Sequence, residues 1–288
     1  MKSDNVTKIK WIQLDIERRL GLPCKKFTGV NFGFAFVVGL LFFGAFYGAL
    51  FPFAGRGCDK VDMFFHGGVH GRSIVNYFTV FLSCWALAIL WIKWMKLKAQ
   101  RTALTLNILP ADPNFVLTAA TAREILDNIR MKVDEPRRFL LLDRVERSIS
   151  NLKNLGNISD VADGLKSQAE NDESYMGATY TIVKSFIWGI PILGFIGTVL
   201  GLSSAVGDFG QVVSKNADIE QLKAGLGNVT SGLGTAFETT LVALIFALTV
   251  QLLMTAILHQ EEEFLDDCSD YCHKNIISKL KMAGLREN

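Results

Sequence analysis

Four long stretches without charged residues limit what this chain can fold into. They contain no Asp, Glu, Lys or Arg, and they run from Phe27 to Gly55, Ser73 to Ile92, Ser185 to Gly207 and Thr239 to Gln260. A helix rises about 1.5 Å per residue, so each stretch reaches the roughly 20 residues that cross a bilayer. Half of the 288 residues are apolar and only 20% are charged, a balance too apolar for an ordinary soluble domain. We therefore predict an all-α integral membrane protein with four transmembrane helices and a helical cytoplasmic portion.

The distribution of Lys and Arg predicts the orientation of these helices, because basic segments beside membrane helices stay cytoplasmic. Seven Lys and Arg precede the first stretch, fourteen lie between the second and third and four follow the fourth, whereas the other two connections hold five. Both termini are therefore expected in the cytoplasm. The prediction assigns residues 1–26 to a cytoplasmic amphipathic N-terminal helix, 27–53 to transmembrane helix 1, 54–72 to a periplasmic loop, 73–95 to transmembrane helix 2, 96–180 to a cytoplasmic helical region, 181–206 to transmembrane helix 3, 207–233 to a second periplasmic loop, 234–258 to transmembrane helix 4 and 259–288 to a cytoplasmic helical tail.

The N-terminal segment has apolar residues at helical spacing. Ile9, Ile12, Ile16 and Leu20 follow one another at steps of three and four, with basic residues between them. This spacing predicts a short amphipathic helix within residues 4–20. Two locations remain open for it. Its basic residues would suit the cytoplasmic membrane surface with its anionic lipids, or its apolar face could pack against the protein's own cytoplasmic helices.

The cytoplasmic region is predicted to be helical. Ile125 and Ile129 share one face of a helix predicted over residues 121–132, and Asp134 with Pro136 favours the start of another helix that reaches about residue 155. Ser159 then begins a helix that can continue into the third span. The acidic and basic side chains of the cytoplasmic segments are predicted to be solvated, including the cluster Glu261, Glu262, Glu263, Asp266 and Asp267.

The first two spans contain no acid or base, so lipid-facing support is the simplest role for them. Trp91 and Trp94 lie beside Lys93 and Lys96, a combination typical of a helix that leaves the bilayer. Only Cys58 would face an oxidising compartment, so no disulfide within the chain is predicted.

Catalytic and metal-binding patterns are missing from the sequence. We find no nucleotide-binding loop, catalytic triad or paired carboxylates, and we predict neither an enzyme nor a cofactor. Cys268 and Cys272 have helical spacing but no second ligand pair, and a structural zinc site needs four ligands, so no metal site is predicted. Topology explains the basic residues, and no nucleic-acid partner is expected.

The last two spans each carry a stripe of small and hydroxyl-bearing residues. These stripes consist of Pro191, Gly194, Thr198, Gly201 and Ala205 in the third span and of Ala236, Thr240, Ala243, Ala247 and Gln251 in the fourth. Contact with lipid does not require such residues, whereas close packing of helices does. Two interpretations stay open, a surface that lines a narrow hydrated path and close packing of helices inside one subunit.

The depth of the two threonines can be estimated from the charge-free stretches. With the midpoint of each stretch as the bilayer centre, Thr198 lies roughly 3 Å and Thr240 roughly 14 Å to its outer side. The two hydroxyls would then share a leaflet but not a level. Glu238 stands at the start of the fourth stretch. It is either a headgroup-level residue or an intramembrane carboxylate, and the latter would point to a function.

The same two segments resemble a known family. The segment from Pro191 to Leu202, read as P-x-x-G-x-x-G-T-V-x-G-L with Gly197 as its second glycine, and GLGTAFETTLVAL from Gly232 to Leu244 are similar to the core of the MotA/TolQ/ExbB proton-channel family. The resemblance covers about residues 143–251. The third-span motif is closer to the TolQ and ExbB branch, whereas four spans and a cytoplasmic N-terminus are closer to MotA.

The resemblance implies a homopentamer whose third and fourth spans line a central pore. Inside it would sit a single-span partner of the MotB/TolR/ExbD type, whose membrane Asp supplies the protonatable group. Thr198 and Thr240 would match the family's two pore threonines. Where TolQ and ExbB carry a glutamate five residues before the second threonine, this chain has Thr235, and its own acid is Glu238.

The function expected from this resemblance is an ion-conducting subunit, with protons as the expected ion, of a rotary motor in the bacterial inner membrane. The driven load could belong to a flagellar-type stator, an outer-membrane energiser or an antiphage assembly. The alternative from another class is a passive membrane scaffold, in which the small stripes only pack helices together.

Overall fold

The computed structural model of the chain describes residues 8–54, 64, 72–106, 108, 117, 121–151, 158–214 and 218–280. Cys58 lies outside these residues, so the prediction that it has no disulfide partner within the chain also concerns a part that the structure does not describe. In the part that the structure describes, the chain is helical and has no strand, apart from isolated bridges that join Ile9 to Val133 and Leu117 to Leu280.

The described helices are labelled α1 to α9 in chain order. They are α1 Trp11–Leu14, α2 Ile16–Arg19, α3 Phe32–Leu50, α4 Arg72–Arg101, α5 Thr121–Lys132, α6 Leu140–Asn151, α7 Ile158–Ala178, α8 Thr181–Ser214 and α9 Ile219–Cys272. Short 3-10 helices cover Phe51–Phe53, Thr102–Thr105 and Pro136–Arg138, and a π-helical turn covers His273–Ile277.

Four of the described helices are long and apolar enough to cross a membrane, which confirms the predicted all-helical, multi-pass architecture. The candidate spans are Phe32–Phe53, Ile74–Thr105, Ser159–Val213 and Ile219–Ile277. The helices extend well beyond the predicted spans. Helix α9 has 54 residues, about 80 Å at 1.5 Å per residue, and the predicted loop 207–233 contains the end of α8 and the start of α9.

The chain divides into two compact units. The first unit contains residues 1–34, 91–180 and 256–288, and the second contains residues 35–90 and 181–255. In the second unit, aromatic rings pack edge to face between α3 and α4, with Phe36 5.6 Å from Phe81 and 5.2 Å from Trp85 between ring centroids. A Cβ at Gly39 would stand 2.8 Å from the Cα of Trp85, so this glycine allows the two backbones to approach.

The first unit has its own hydrophobic core. Helix α5 covers the predicted residues 121–132 and buries Ala122, Ile125 and Ile129 on one face. Helix α6 begins at Leu140, later than the start predicted from Asp134 and Pro136, because Pro136–Arg138 form a separate 3-10 helix, and it buries Leu140 and Val145 completely. The other large members of this core include Trp11, Phe27, Phe139, Phe264, Leu265, Cys268, Cys272 and Ile276.

The N-terminal segment differs from the predicted amphipathic helix. It forms two four-residue helices, and the side chain of Asp15 caps α2 by accepting the Glu17 backbone N–H at 3.0 Å. The buried residues are Trp11, Asp15 and Glu17, whereas Ile12 and Leu20 of the predicted apolar face are 48% and 61% exposed. The inner face of the segment packs on the chain's own helices, where the carboxylates of Asp15 and Glu17 pair with a cation.

Lys96 of α4 is that cation. Its Nζ lies 2.6 Å from Glu17 Oε2 and 3.7 Å from Asp15 Oδ2, and it donates to the Gly29 carbonyl at 2.7 Å. Lys96 was predicted to stand where the helix leaves the bilayer, and its side chain is only 2% exposed. A fully desolvated charge is costly unless it is paired. The pair therefore fastens the N-terminal segment to α4.

A second buried ion pair joins α4 to α9. Lys93 Nζ lies 3.1 and 3.2 Å from the two carboxylate oxygens of Glu261, 3.4 Å from the Thr28 hydroxyl and 4.1 Å above the ring of Tyr180. The prediction that the whole cluster from Glu261 to Asp267 is solvated is wrong for Glu261, which is 1% exposed. Glu262, Glu263, Asp266 and Asp267 are exposed as predicted.

A third buried pair corrects the prediction of solvated charges between residues 96 and 180. Arg144 of α6 donates from Nε to Asp172 of α7 at 2.7 Å and from Nη1 to the Ser269 hydroxyl of α9 at 3.0 Å. The side chain of Arg144 is 2% exposed. These contacts connect three helices of the first unit.

Candidate functional site

Two threonine hydroxyls join α8 to α9 in the second unit. The hydroxyls of Thr198 and Thr240 contact each other directly. Thr240 Oγ1 also lies 2.9 Å from the Gly194 carbonyl, and Thr198 Oγ1 lies 3.0 Å from the Ala236 carbonyl. Gly194 and Ala236 stand four residues before Thr198 and Thr240, respectively. Each hydroxyl therefore reaches the carbonyl one turn before the other threonine, and the two helices bind each other reciprocally.

The two helices approach closely because the residues at the crossing are small. A Cβ at Gly194 would stand 2.6 Å from the Cβ of Ala243 and 3.1 Å from the Cα of Thr240. A Cβ at Gly197 would stand 2.8 Å from the Thr239 hydroxyl. Real Cβ atoms do not approach so closely, so both glycines are required for this crossing.

The small residues predicted to line the pore belong to the second unit, and most of them are buried. Pro191 is half-buried within α8, and the remaining members are buried, namely Gly194, Gly197, Gly201, Ala205, Ala236, Ala243 and Ala247. Thr198 and Thr240 are half-buried. The backbone contacts of Gly194 and Gly197 are those of close packing inside one subunit, while part of each threonine remains accessible beside that packing.

The estimated depths of the two threonines were wrong relative to each other. Oxygens in contact cannot stand about 11 Å apart along the bilayer normal, the difference implied by 14 and 3 Å. The error came from the charge-free stretch, which begins at Thr239, whereas α9 begins at Ile219. Glu238 thus lies well inside a continuous helix.

Glu238 does not join the hydroxyl pair in the described contacts. Glu238 is exposed, and two residues correspond to about 200° around a helix, which places it on nearly the opposite side of α9 from Thr240. Thr235 belongs to α9, but its side chain lies outside the described part of the chain. Of the three predicted ion-pathway residues whose side chains the structure describes, it therefore brings together Thr198 and Thr240 and leaves Glu238 apart.

Thr239 was not predicted and belongs to the same crossing. It is 1% exposed, its hydroxyl donates to the Ala236 carbonyl at 2.8 Å, and Gly197 makes room for it. The tandem Thr239–Thr240 was the available signal, because adjacent threonines on a helix place one hydroxyl on each of two neighbouring faces.

One group of possible metal ligands occurs in the described residues of the first unit. Ligand atoms of Asp15, Glu17 and Cys24 lie within 4.8 Å of one another. The ammonium group of Lys96 already pairs with both carboxylates there. Burial, followed by the nearby Asp15 carboxylate, raises the pKa of the Cys24 thiol to about 11, and a thiol must ionise to bind metal. These three residues are therefore better described as an ion-pair cluster than as a metal centre.

Comparison with protein families gives a match for the region that holds the hydroxyl pair. Residues 134–268 match the model of the MotA/TolQ/ExbB proton channel family. This region belongs to the MotA/TolQ/ExbB family. The match includes α6, α7 and α8 and most of α9, and thus both threonines of the crossing. No curated protein and no solved structure matches the chain. The matched family is one of proton channels, which agrees with the prediction of a membrane subunit.

The crossing predicts a large effect for one added methyl group. Gly194→Ala should lower the stability of the chain by about 1–3 kcal/mol, because α8 and α9 must separate to admit the Cβ. Thermal unfolding of the purified protein in detergent measures this loss. Gly189→Ala on the same helix is the matched control, since no atom lies within 4 Å of its added Cβ. Equal melting temperatures for the two variants would contradict the observed crossing.

Proposed function

We propose that this chain is the ion-conducting subunit of a membrane rotary motor, with protons as the ion. Several copies, in the family's manner five, surround a single-span partner of the MotB/TolR/ExbD type that carries a membrane Asp. The complex sits in a bacterial inner membrane with both termini of this chain in the cytoplasm. The observation that carries the proposal is the Thr198–Thr240 hydroxyl pair, which lies within the family-matched region.

The hydroxyl pair suits transient contact with a proton donor or acceptor. A hydroxyl both donates and accepts, and it carries no fixed charge that would trap an ion. Thr198 has three oxygen neighbours within the chain and Thr240 has two, but each hydroxyl has only one proton to donate. The pair can therefore exchange partners when a carboxyl group of the partner approaches, without leaving a buried donor unsatisfied.

The available energy is sufficient for such an exchange. Moving one elementary charge across 100 mV supplies about 2.3 kcal/mol, and a single side-chain hydrogen bond contributes about 0.5–1.5 kcal/mol net. One ion passage thus supplies enough to break about one to four contacts of this kind between the partner Asp and the threonines. Protonation and deprotonation of that Asp would then step the ring of subunits around the partner.

Reconstitution tests this function. The full chain and its genetically adjacent single-span protein are purified together and inserted into vesicles that enclose a pH-sensitive dye. We expect an imposed potential to drive proton entry only when both chains are present and only when the partner Asp is intact. If vesicles that hold this chain alone take up protons as fast as vesicles that hold the complex, the proposal is contradicted.

A passive scaffold is the second candidate, and the packing at Gly194 and Gly197 favours it. Both glycines are explained by helix contacts inside one subunit, without a pore. The scaffold predicts a homo-oligomer that purifies without an Asp-bearing partner and conducts no ions. The same reconstitution therefore separates the two candidates.

A further inference from the structure

The exposed charges between Lys8 and Asn31 all have the same sign. The two acids of this segment, Asp15 and Glu17, are 1% and 0% exposed and face Lys96. Its basic residues lie outside, and five of them are exposed, namely Lys8, Lys10, Arg19, Lys25 and Lys26. Arg18 pairs with Glu135 at 3.3 Å. Burial of both acids thus leaves only basic side chains among the exposed charges that this segment itself contributes.

This surface is fastened to the first turn of a membrane span. Asn31 caps α3 by accepting the Gly33 backbone N–H at 3.0 Å. The Asn31 backbone N–H donates to Glu17 at 2.9 Å, and its side chain donates to the Pro23 carbonyl at 3.1 Å. The ammonium group of Lys25 lies 3.8 Å from the centre of the Phe32 ring, the first residue of α3. The segment from residue 17 to residue 26 is therefore held where α3 enters the bilayer.

We propose that residues 17–26 form a binding surface for the headgroups of anionic phospholipids. The charge is complementary to phosphate, and the position beside the first turn of a span is that of the headgroups. Leu20, 61% exposed in the middle of this segment, supplies the apolar contact that interfacial segments insert beside their cations. The inner face of the segment is thus used for folding, and the outer face is used for lipid.

Spin-labelled lipids test this surface in the full chain. The protein is reconstituted into phosphatidylcholine vesicles with a trace of spin-labelled phosphatidylglycerol or spin-labelled phosphatidylcholine, and the motionally restricted fraction gives the relative affinity of each lipid. A basic residue near an anionic surface contributes roughly fivefold. The variant Lys25→Gln with Lys26→Gln should therefore lose at least about fivefold of the preference for phosphatidylglycerol, and salt should weaken the preference of the wild type.

The matched control removes two exposed lysines from other helices of the first unit, Lys166→Gln with Lys274→Gln, and should keep the preference. An unchanged preference in the Lys25 and Lys26 variant would overturn the proposal and leave this surface to an acidic protein or to solvent. An equal loss in both variants would also overturn it, because the effect would then reflect net charge alone. The readout does not depend on ion conduction, so it is independent of the proposed motor function.

Discussion

Lys93→Met is expected to destabilise the protein by about 3–5 kcal/mol. The substitution leaves the Glu261 carboxylate buried without its cation, and the cost of an unpaired buried charge far exceeds the net gain from forming the pair. The carboxylate is 2% exposed, and its two oxygens lose partners at 3.1 and 3.2 Å. The Thr28 hydroxyl and the face of Tyr180 lose the same ammonium group.

Thermal unfolding of the purified protein in detergent measures this loss, and two variants control it. Lys98→Met removes a lysine from the same helix that is exposed and lies over Trp94, so it should cost less than about 1 kcal/mol. Lys93→Met combined with Glu261→Leu should recover most of the lost stability, because an apolar pair of similar volume replaces a buried ion pair at little cost. A double variant as unstable as Lys93→Met would show that the carboxylate is not the cause.

The apolar part of the architecture could be predicted from local pattern. Four charge-free stretches indicated four membrane-length helices, and the spacing of Ile125 and Ile129 indicated the buried face of α5. These features depend on residues a few positions apart, which share a helix face whatever the rest of the chain does. The family that residues 134–268 match could likewise be predicted from two short motifs.

The buried charges could not be predicted in the same way. Lys96 and Glu17 are 79 residues apart, and Lys93 and Glu261 are 168 residues apart. A charged residue on an amphipathic helix is normally solvated. Only the tertiary fold shows that an oppositely charged residue of a distant segment lies beside it. The N-terminal segment shows the consequence most clearly, because it buries its acids and exposes Ile12 and Leu20.

The candidate site was predicted in identity but not in arrangement. The motifs identified Thr198 and Thr240, yet the depth estimate separated them because it treated Glu238 as the edge of a span. The reciprocal bonds to the carbonyls of Gly194 and Ala236 depend on the crossing of α8 and α9. The role of Thr198, Thr240, Thr235 and Glu238 in an ion pathway remains a prediction.

The hydroxyl pair should carry the ion-driven activity. Val keeps the branched shape of Thr and removes the hydroxyl, so Thr198→Val with Thr240→Val should leave the helices packed and the partner Asp without its polar contacts. Leaving a buried polar group without a partner costs about 1–3 kcal/mol. If that cost falls on the barrier to ion passage, flux should drop roughly 5- to 150-fold.

Thr249→Val is the matched control, because Thr249 is an exposed threonine on α9 whose hydroxyl donates only within its own helix, to the Ile245 carbonyl at 2.8 Å. The deciding measurement is potential-driven proton flux into vesicles that hold equal amounts of intact complex. Flux below about one fifth of the wild-type value in the double valine variant, with normal flux in the control, is the expected result. Wild-type flux through an intact double-variant complex would contradict a role for these two hydroxyls in ion passage.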